Sequence, residues 1–296
     1  MTASTHPIRL IGLTGNLPLA EKTAKMTGFP LLDTTIRHFS DGEINVNINE
    51  SIRGDDVYII QSIQDPVNEN LMELLIVIDA LRRASAHQIN VVLPYMAYTR
   101  SDRKTKAREP ITAKLVSNMI EKSGADRVIT IDLHASQIQG FFDIPVDHLK
   151  AASILAKYFL DQGIDKENVV VVSPDHSGTN LARKFAEFFD APIAIVDQRR
   201  SHYDQSIQNI IGDVNGKIAI IADDIIDTGI RLDYSTRSLL NAGATKVYAA
   251  ATHALLSADA PKRIAEIPLE KVVVTDTIIH DPEDIPANME IMSVDR

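Results

Sequence analysis

The chain has no cysteine and no tryptophan among its 296 residues. Without thiols it can form neither disulfides nor thiolate metal sites, and the lack fits a reducing compartment, so a cytoplasmic location is expected. No apolar run reaches the ~18 residues of a membrane span, and Met1 to Arg9 lacks a basic stretch followed by a hydrophobic one, so neither export nor a membrane partner is expected. Positive charge is short as well, with 30 Lys and Arg against 40 Asp and Glu and a formal charge of −10. That balance disfavours nucleic acid as a partner, and a polyphosphate ligand would need Mg²⁺ or a local cluster of Arg and Lys to offset repulsion. Aliphatic residues are plentiful: 45% of the chain is hydrophobic and only 5% aromatic. At roughly 100 to 200 residues per domain, the length leaves room for two domains.

Short β-branched runs alternate with helix-period segments. Ile8 to Leu13, Val57 to Gln61, Ile89 to Leu93 and Val128 to Ile131 read as buried strands. Asn68 to Ala86 reads as a helix, with Leu71, Leu74, Leu75, Ile78 and Leu81 on one stripe and Arg82 and Arg83 where the dipole favours cations. Another helix starts after Pro110. The pattern then repeats, with strands at Val169 to Val172, Ile193 to Val196, Ile218 to Ala222 and Lys246 to Ala250, and helices near Thr179 to Phe189 and Tyr234 to Asn241. Such alternation implies right-handed crossovers and parallel sheets, hence an α/β fold of two similar doubly wound halves. The boundary is placed near Asp147 to Ala151, where Pro145 is expected to end a strand before a new helix, giving domains 1–148 and 149–296. In such sheets ligands collect at the C-terminal ends of strands.

After the strand Ile218 to Ala222 comes Asp223-Asp224-Ile225-Ile226-Asp227-Thr228-Gly229, running into a helix with Leu239 and Leu240 on its buried side. Backbone amides at such a helix start can hold a phosphate, and Asp223 and Asp224 can hydrogen-bond ribose hydroxyls directly or through Mg²⁺. A capped helix behind a solvated acidic turn would show the same pattern. Phe39-Ser40-Asp41-Gly42-Glu43 carries an Asp-Gly hairpin signal, and a turn there is compatible with a ligand role. Arg100 and Arg103 sit on a polar loop beyond Leu93; forked guanidinium donors suit phosphate oxygens, although such charge runs are more often simply solvated. Asp132 and His134 directly follow a strand, where a lone histidine is more often structural than a metal ligand.

The acidic loop resembles the phosphoribosyl-diphosphate loop of type I phosphoribosyltransferase folds. The N-terminal half adds Phe39 to Glu43, Pro94-Tyr95 with Tyr98 to Lys104, Arg108-Glu109-Pro110-Ile111-Thr112-Ala113-Lys114, and Asp132-Leu133-His134 followed by Gln137 to Phe142. From about Ile8 to Val294 these resemble the ribose-phosphate pyrophosphokinase family, in order and in spacing. The resemblance implies two doubly wound parallel-sheet domains of the type I phosphoribosyltransferase kind, an ATP-side domain followed by a ribose 5-phosphate-binding one. It also implies transfer of the β,γ-pyrophosphoryl group of ATP to ribose 5-phosphate for nucleotide biosynthesis, Mg²⁺ as cofactor, and a homo-oligomer, dimer or hexamer. By that resemblance Phe39, Asp41 and Glu43 form an adenine loop lent to a neighbouring subunit, while Arg100, with Ser101 beside it, and Arg103 meet the ATP phosphates. The same resemblance implies His134, Asp175 and Asp132 as the metal set. Asp223, Asp224, Asp227, Thr228, Gly229 and Arg231 line the ribose 5-phosphate site, and Ser51, Arg53, Arg108, Ser136 and Gln139 match part of an allosteric ADP and phosphate site.

Several positions depart from the family's pattern. Its catalytic loop carries a Lys and an Arg with one residue between, but Asp197-Gln198-Arg199-Arg200 keeps only Arg200 and puts Gln198 at the lysine position, with Arg199 as a partial substitute. Losing one preorganised donor of this kind costs about 10² to 10³ in rate. The phosphate loop usually runs Asp-Thr-Ala-Gly-Thr and here runs Asp227-Thr228-Gly229-Ile230-Arg231. Ile230 would be strained at a positive φ, and Arg231 either adds charge to the phosphate or takes its place. Ser177 stands for a glycine and Ser101 for a glutamine. Beyond Met292-Ser293-Val294 the family's last helix and strand do not follow, and with them goes part of the allosteric site. These departures open an alternative, a catalytically impaired paralogue that regulates an active homologue within a hetero-oligomer. A phosphoribosyltransferase would have little use for the ATP-type motifs.

Overall fold

The computed structural model describes residues 6–199 and 207–295. It divides into two compact units, Met1–Leu149 with Thr277–Ile279 and Asp295–Arg296, and Lys150–Asp276 with His280–Val294. The fold is α/β with parallel sheets.

The first unit runs β1 (Ile8–Gly12), α1 (Leu17–Thr27), β2 (Thr34–His38), β3 (Ile44–Ile48), β4 (Asp56–Ile60), α2 (Val67–Arg83), β5 (Gln88–Leu93), α3 (Thr112–Ser123), β6 (Arg127–Ile131) and β7 (Val146–Leu149). Five of these strands form one parallel sheet in the order β1-β4-β5-β6-β7. The order follows the chain. β2 and β3 form a separate antiparallel hairpin, from Thr34↔Ile48 to His38↔Ile44, and Gly42 closes its turn at φ 92°, a value costly for a residue with a Cβ. In α2 the stripe of Leu71, Leu74, Ile78 and Leu81 is buried, with Leu75 at its edge. Contrary to expectation, Pro145 does not end a strand; it precedes β7, which pairs with β6 along Val128↔Val146 to Ile131↔Leu149. β7 is the last strand of the sheet, and a proline without an N–H is tolerated just ahead of an edge strand, where its carbonyl still accepts from the Val128 amide. The segment Thr277–Ile279 completes this unit: the buried Ser62 hydroxyl donates to the Thr277 carbonyl at 2.6 Å, and the Gln64 carboxamide accepts from the Ile279 amide at 2.8 Å.

The second unit runs α4 (Ala152–Asp161), β8 (Val169–Ser173), α5 (Thr179–Ala186), β9 (Ile193–Arg199), β10 (Ile207–Ile211), β11 (Ile218–Ile226), α6 (Ile230–Asn241), β12 (Lys246–Ala254), α7 (Ala260–Glu266), β13 (Lys271–Thr275) and β14 (Met289–Met292). Its sheet has the order β10-β9-β8-β11-β12-β13-β14, in which β10 pairs antiparallel to β9. The chain steps outward from β8 to β9 and then returns to place β11 on the other side of β8. Successive strand residues serve opposite faces: Val170, Val172, Ala219 and Ile221 pack with Leu232, Leu239 and Ile264 of α6 and α7. Val169, Val171, Ile220 and Ala222 pack with Phe159, Phe185 and Phe189, on and just beyond α4 and α5. Burial on both faces is why these strands read as continuous apolar runs. Among the described residues no helix is long and apolar enough to cross a membrane.

Candidate active site

In the second unit the polar residues gather where β8 and β11, hydrogen-bonded neighbours, end. The sheet reverses its winding there, and such crevices at the carboxyl ends of strands are where open α/β sheets take ligands. β11 is longer than its apolar run suggests. Asp223 and Asp224 lie on the strand, not in a turn, because pairing with β12 continues through Asp223↔Ala251 to Ile226↔Ala254. The turn proper is Asp227-Thr228-Gly229. Gly229 caps α6 in the left-handed conformation, φ 73°, and a Cβ there would sit 3.3 Å from Ile264 Cγ1. Ile230 is therefore spared: the positive φ belongs to Gly229, and Ile230 is an exposed first helical residue, 59% accessible. The Arg263 guanidinium of α7 donates to the Thr228 carbonyl and braces the loop. Sequence reasoning missed Arg263, which is 35 residues away in the chain and carries no local signal.

Arg231 leaves the first turn of α6 to reach the carboxylates on both strands. Its Nη1 is 2.7 Å from Asp175 Oδ2 and its Nη2 is 2.9 Å from Asp223 Oδ2. The other oxygen of Asp175 accepts from the Ser177 hydroxyl at 2.6 Å and from the Gly178 amide at 2.9 Å. Asp223 Oδ1 accepts from the Asp224 amide at 3.0 Å. Burial pushes the Asp223 carboxyl up to about 8, with Arg231 opposing the rise and Asp224 adding to it. Burial works the same way on Asp175, yet the hydrogen bonds from Ser177 and Gly178 and the charge of Arg231 hold it below its ordinary value. Two of the departures noted in the sequence, Ser177 and Arg231, thus converge on one carboxylate. His176 Nε2 lies 3.0 Å from Asp197 Oδ1 on β9. The backbones of Gln198 and Arg199 belong to β9, opposite Gln208 and Ile207 of β10, and Arg200 lies outside the described residues.

In the first unit Phe39, Asp41 and Glu43 occupy the tip of the β2–β3 hairpin. The Phe39 amide donates to the Glu43 carbonyl and the Glu43 amide to Asp41 Oδ1, while the Phe39 ring stands 56% exposed. Arg100, Ser101 and Arg103 follow β5, with both arginines exposed; the Ser101 amide donates to the carbonyl of Tyr98, a residue at φ 64°. Asp132 follows β6 at φ 41°, buried, its amide donating to the Leu149 carbonyl. Non-glycine residues in such conformations cost about 1–3 kcal/mol each and collect in ligand-handling loops. His134 is exposed. Ser51, Arg53, Arg108, Ser136 and Gln139 are all exposed, the last two on one short 3₁₀ helix, Ser136–Phe141. Asp132 and His134 belong to this unit and Asp175 to the other. Among the described residues no group of three or more His, Asp or Glu side chains is arranged to hold a metal ion. Asp175 Oδ1 accepts two hydrogen bonds and Oδ2 faces Arg231, so a divalent cation on this carboxylate would have to compete with that guanidinium.

The chain is similar to known proteins along most of its length. Residues 8–124 match the model of the N-terminal domain of ribose phosphate pyrophosphokinase, and residues 202–295 match that of the phosphoribosyl synthetase-associated domain. The chain is 57% identical over 272 residues to ribose-phosphate pyrophosphokinase 2 of Enterococcus faecalis, covering 92% of this chain and 84% of that one. It is 54% identical over 288 residues to ribose-phosphate pyrophosphokinase 1 of Listeria monocytogenes, covering 97% and 90%. The crystal structure of phosphoribosylpyrophosphate synthetase from Mycobacterium smegmatis superposes with a TM-score of 0.93 at 39% identity, covering 98% of this chain and 95% of that one.

Proposed function

Because this chain belongs to the ribose-phosphate pyrophosphokinase family, we propose that it transfers the β,γ-pyrophosphoryl group of ATP to the 1-hydroxyl of ribose 5-phosphate. The observation that carries the reading is the turn at Gly229, which opens the amide end of α6 beside Asp223 and Asp224 at the reversal of the sheet. Amides of Asp227, Thr228 and Gly229 bind the 5-phosphate as a helix start binds an anion, and Asp224 orients the sugar hydroxyls. The 1-oxygen attacks the β-phosphorus, the bond from that phosphorus to the oxygen of the α-phosphate breaks, AMP leaves, and the hydroxyl proton passes to solvent. Most of the acceleration in such transfers comes from positioning and charge neutralisation. By the family resemblance Gln198, Arg199 and Arg200 are assigned to the moving group, with Arg200 the principal donor to its developing charge. On the nucleotide side Phe39 stacks on adenine, Asp41 and Glu43 accept from its amino group, and Arg100 and Arg103 meet the phosphates. Mg²⁺ would arrive with the substrate as MgATP and supply charge neutralisation, and Asp132 and His134 are the side chains that would hold it.

The hairpin tip serves a neighbouring subunit in this reading, so the active form is a homo-oligomer, dimer or hexamer, in the cytoplasm. Ser51, Arg53, Arg108, Ser136 and Gln139 form the ADP and phosphate regulatory surface. Release of AMP from MgATP by the purified protein tests the reading: turnover that requires ribose 5-phosphate is expected. Binding of both substrates without turnover would point instead to a regulatory subunit of an active homologue, seen as altered activity in mixed oligomers.

A further inference from the structure

Resting on the ribose-side reading above, we propose that the Arg231 guanidinium is the resident counter-cation of that site, so that ribose 5-phosphate binds without a divalent ion on Asp175 or Asp223. Arg231 spans the crevice between β8 and β11, holding one carboxylate from each side at 2.7 and 2.9 Å. A cation in the first turn of a helix opposes the helix dipole, so nothing local favours an arginine there; its place is explained by the carboxylates it joins. Those carboxylates are otherwise spoken for. Asp175 Oδ1 accepts from Ser177 and Gly178, and Asp223 Oδ1 accepts from Asp224. Mg²⁺ and Mn²⁺ take oxygen ligands, commonly one or two carboxylates with water and substrate oxygens completing the shell. An ion entering here would have to expel Arg231 from both oxygens left over.

The charge also answers a need of the substrate. A dianionic phosphate brought to Asp227-Thr228-Gly229 approaches the carboxylates of Asp175 and Asp224, and without a cation among them the repulsion would be unfavourable in a partly buried crevice. Arg231 is partly accessible, 45% at its side chain, and the N–H donors not used on Asp175 and Asp223 can face an incoming phosphate or hydroxyl.

Isothermal titration of ribose 5-phosphate into the full-length protein, in EDTA and then in Mg²⁺ or Mn²⁺, tests the proposal without turnover. The wild type is expected to bind with affinities within about twofold of each other in the two conditions, whereas Arg231→Ala binds at least about tenfold more weakly in EDTA and recovers when metal is added. Mn²⁺ titration followed by electron paramagnetic resonance, without nucleotide, should show one more bound ion per chain in Arg231→Ala than in the wild type. Wild-type binding that collapses in EDTA, or equal Mn²⁺ counts in the two proteins, would overturn the proposal. Should Arg231→Ala fail to fold, Arg231→Lys carries the test: a retained charge must keep binding independent of metal. A wild type that bound no ribose 5-phosphate in any condition would sink the functional reading, and the Mn²⁺ counts would still decide the counter-cation role.

Discussion

The two units are built from the same parts, a parallel sheet with helices between its strands, but they hold their polar residues differently. In the second unit the strand order turns back at β8, and the carboxylates at that reversal are already paired: Asp175 and Asp223 with Arg231, Asp175 again with Ser177 and Gly178. In the first unit the strands follow chain order, and Phe39, Asp41, Glu43, Arg100 and Arg103 stand exposed on a hairpin tip and a loop. A set of side chains already paired with one another is fixed before its ligand arrives. An exposed set pays its ordering entropy when the nucleotide binds. On the proposed assignment of the two sites, the sugar phosphate would meet a template while ATP would assemble its own contacts.

Mutations can sharpen or break that comparison. The largest expected effect is on packing: Phe159→Ala, in the aromatic cluster with Phe185 and Phe189, should cost about 3–5 kcal/mol, read as a lowered denaturant midpoint with an unchanged slope. Next, on the proposed catalytic assignment, Gln198→Lys supplies the missing cationic donor and should raise ribose 5-phosphate-dependent AMP release by about 10² to 10³; no gain would place the limitation elsewhere. Gly229→Val forces a β-branched residue to φ 73° with a Cβ against Ile264. It should cost about 1–3 kcal/mol and abolish ribose 5-phosphate binding in calorimetry while MgATP binding persists.

Ser177→Ala removes one hydrogen bond from Asp175 and should cost no more than about 1 kcal/mol, because the carboxylate is partly screened by solvent. Its sign shows in acid. The Asp175 carboxyl is held below its ordinary value of 3.8, so it contributes stability that is present above that value and lost as pH falls through the folded value. In Ser177→Ala that acid-side loss should be shallower. The smallest effect on stability belongs to the first unit: Phe39→Ala should stay within about 0.5 kcal/mol of wild type, yet weaken ATP binding by up to about tenfold through lost stacking. An equal loss of stability in Phe39→Ala would break the contrast between a preformed and an exposed half.

The strands and helices were legible where burial on both faces leaves long apolar runs, as at Val169 to Val172 and Ile218 to Ala222, and the Asp-Gly turn announced its hairpin directly. Elements with weaker signals were not. β14 is four residues, Met289–Met292, and is recognisable only once β13 offers an edge. β11 passes through Asp223 to Ile226 because β12 continues alongside it, a tertiary reason that no local propensity contains. Motif spacing located the acid-rich loop and its glycine, but the direction of Arg231 depends on Asp175, 56 residues earlier, and the brace from Arg263 on a helix that was not anticipated.

Thr277–Ile279 has a temporal consequence. On the ribosome, residues 1–149 emerge well before this segment exists, so the Ser62 hydroxyl keeps its bond from Asn16 but lacks the Thr277 acceptor, and Gln64 lacks its Ile279 partner, until Thr277–Ile279 has been synthesised. The first unit is thus discontinuous along the chain, and a fragment ending at Leu149 would carry an open seam where that short return segment belongs. Cutting the protein between its two units at one point cannot yield two complete pieces.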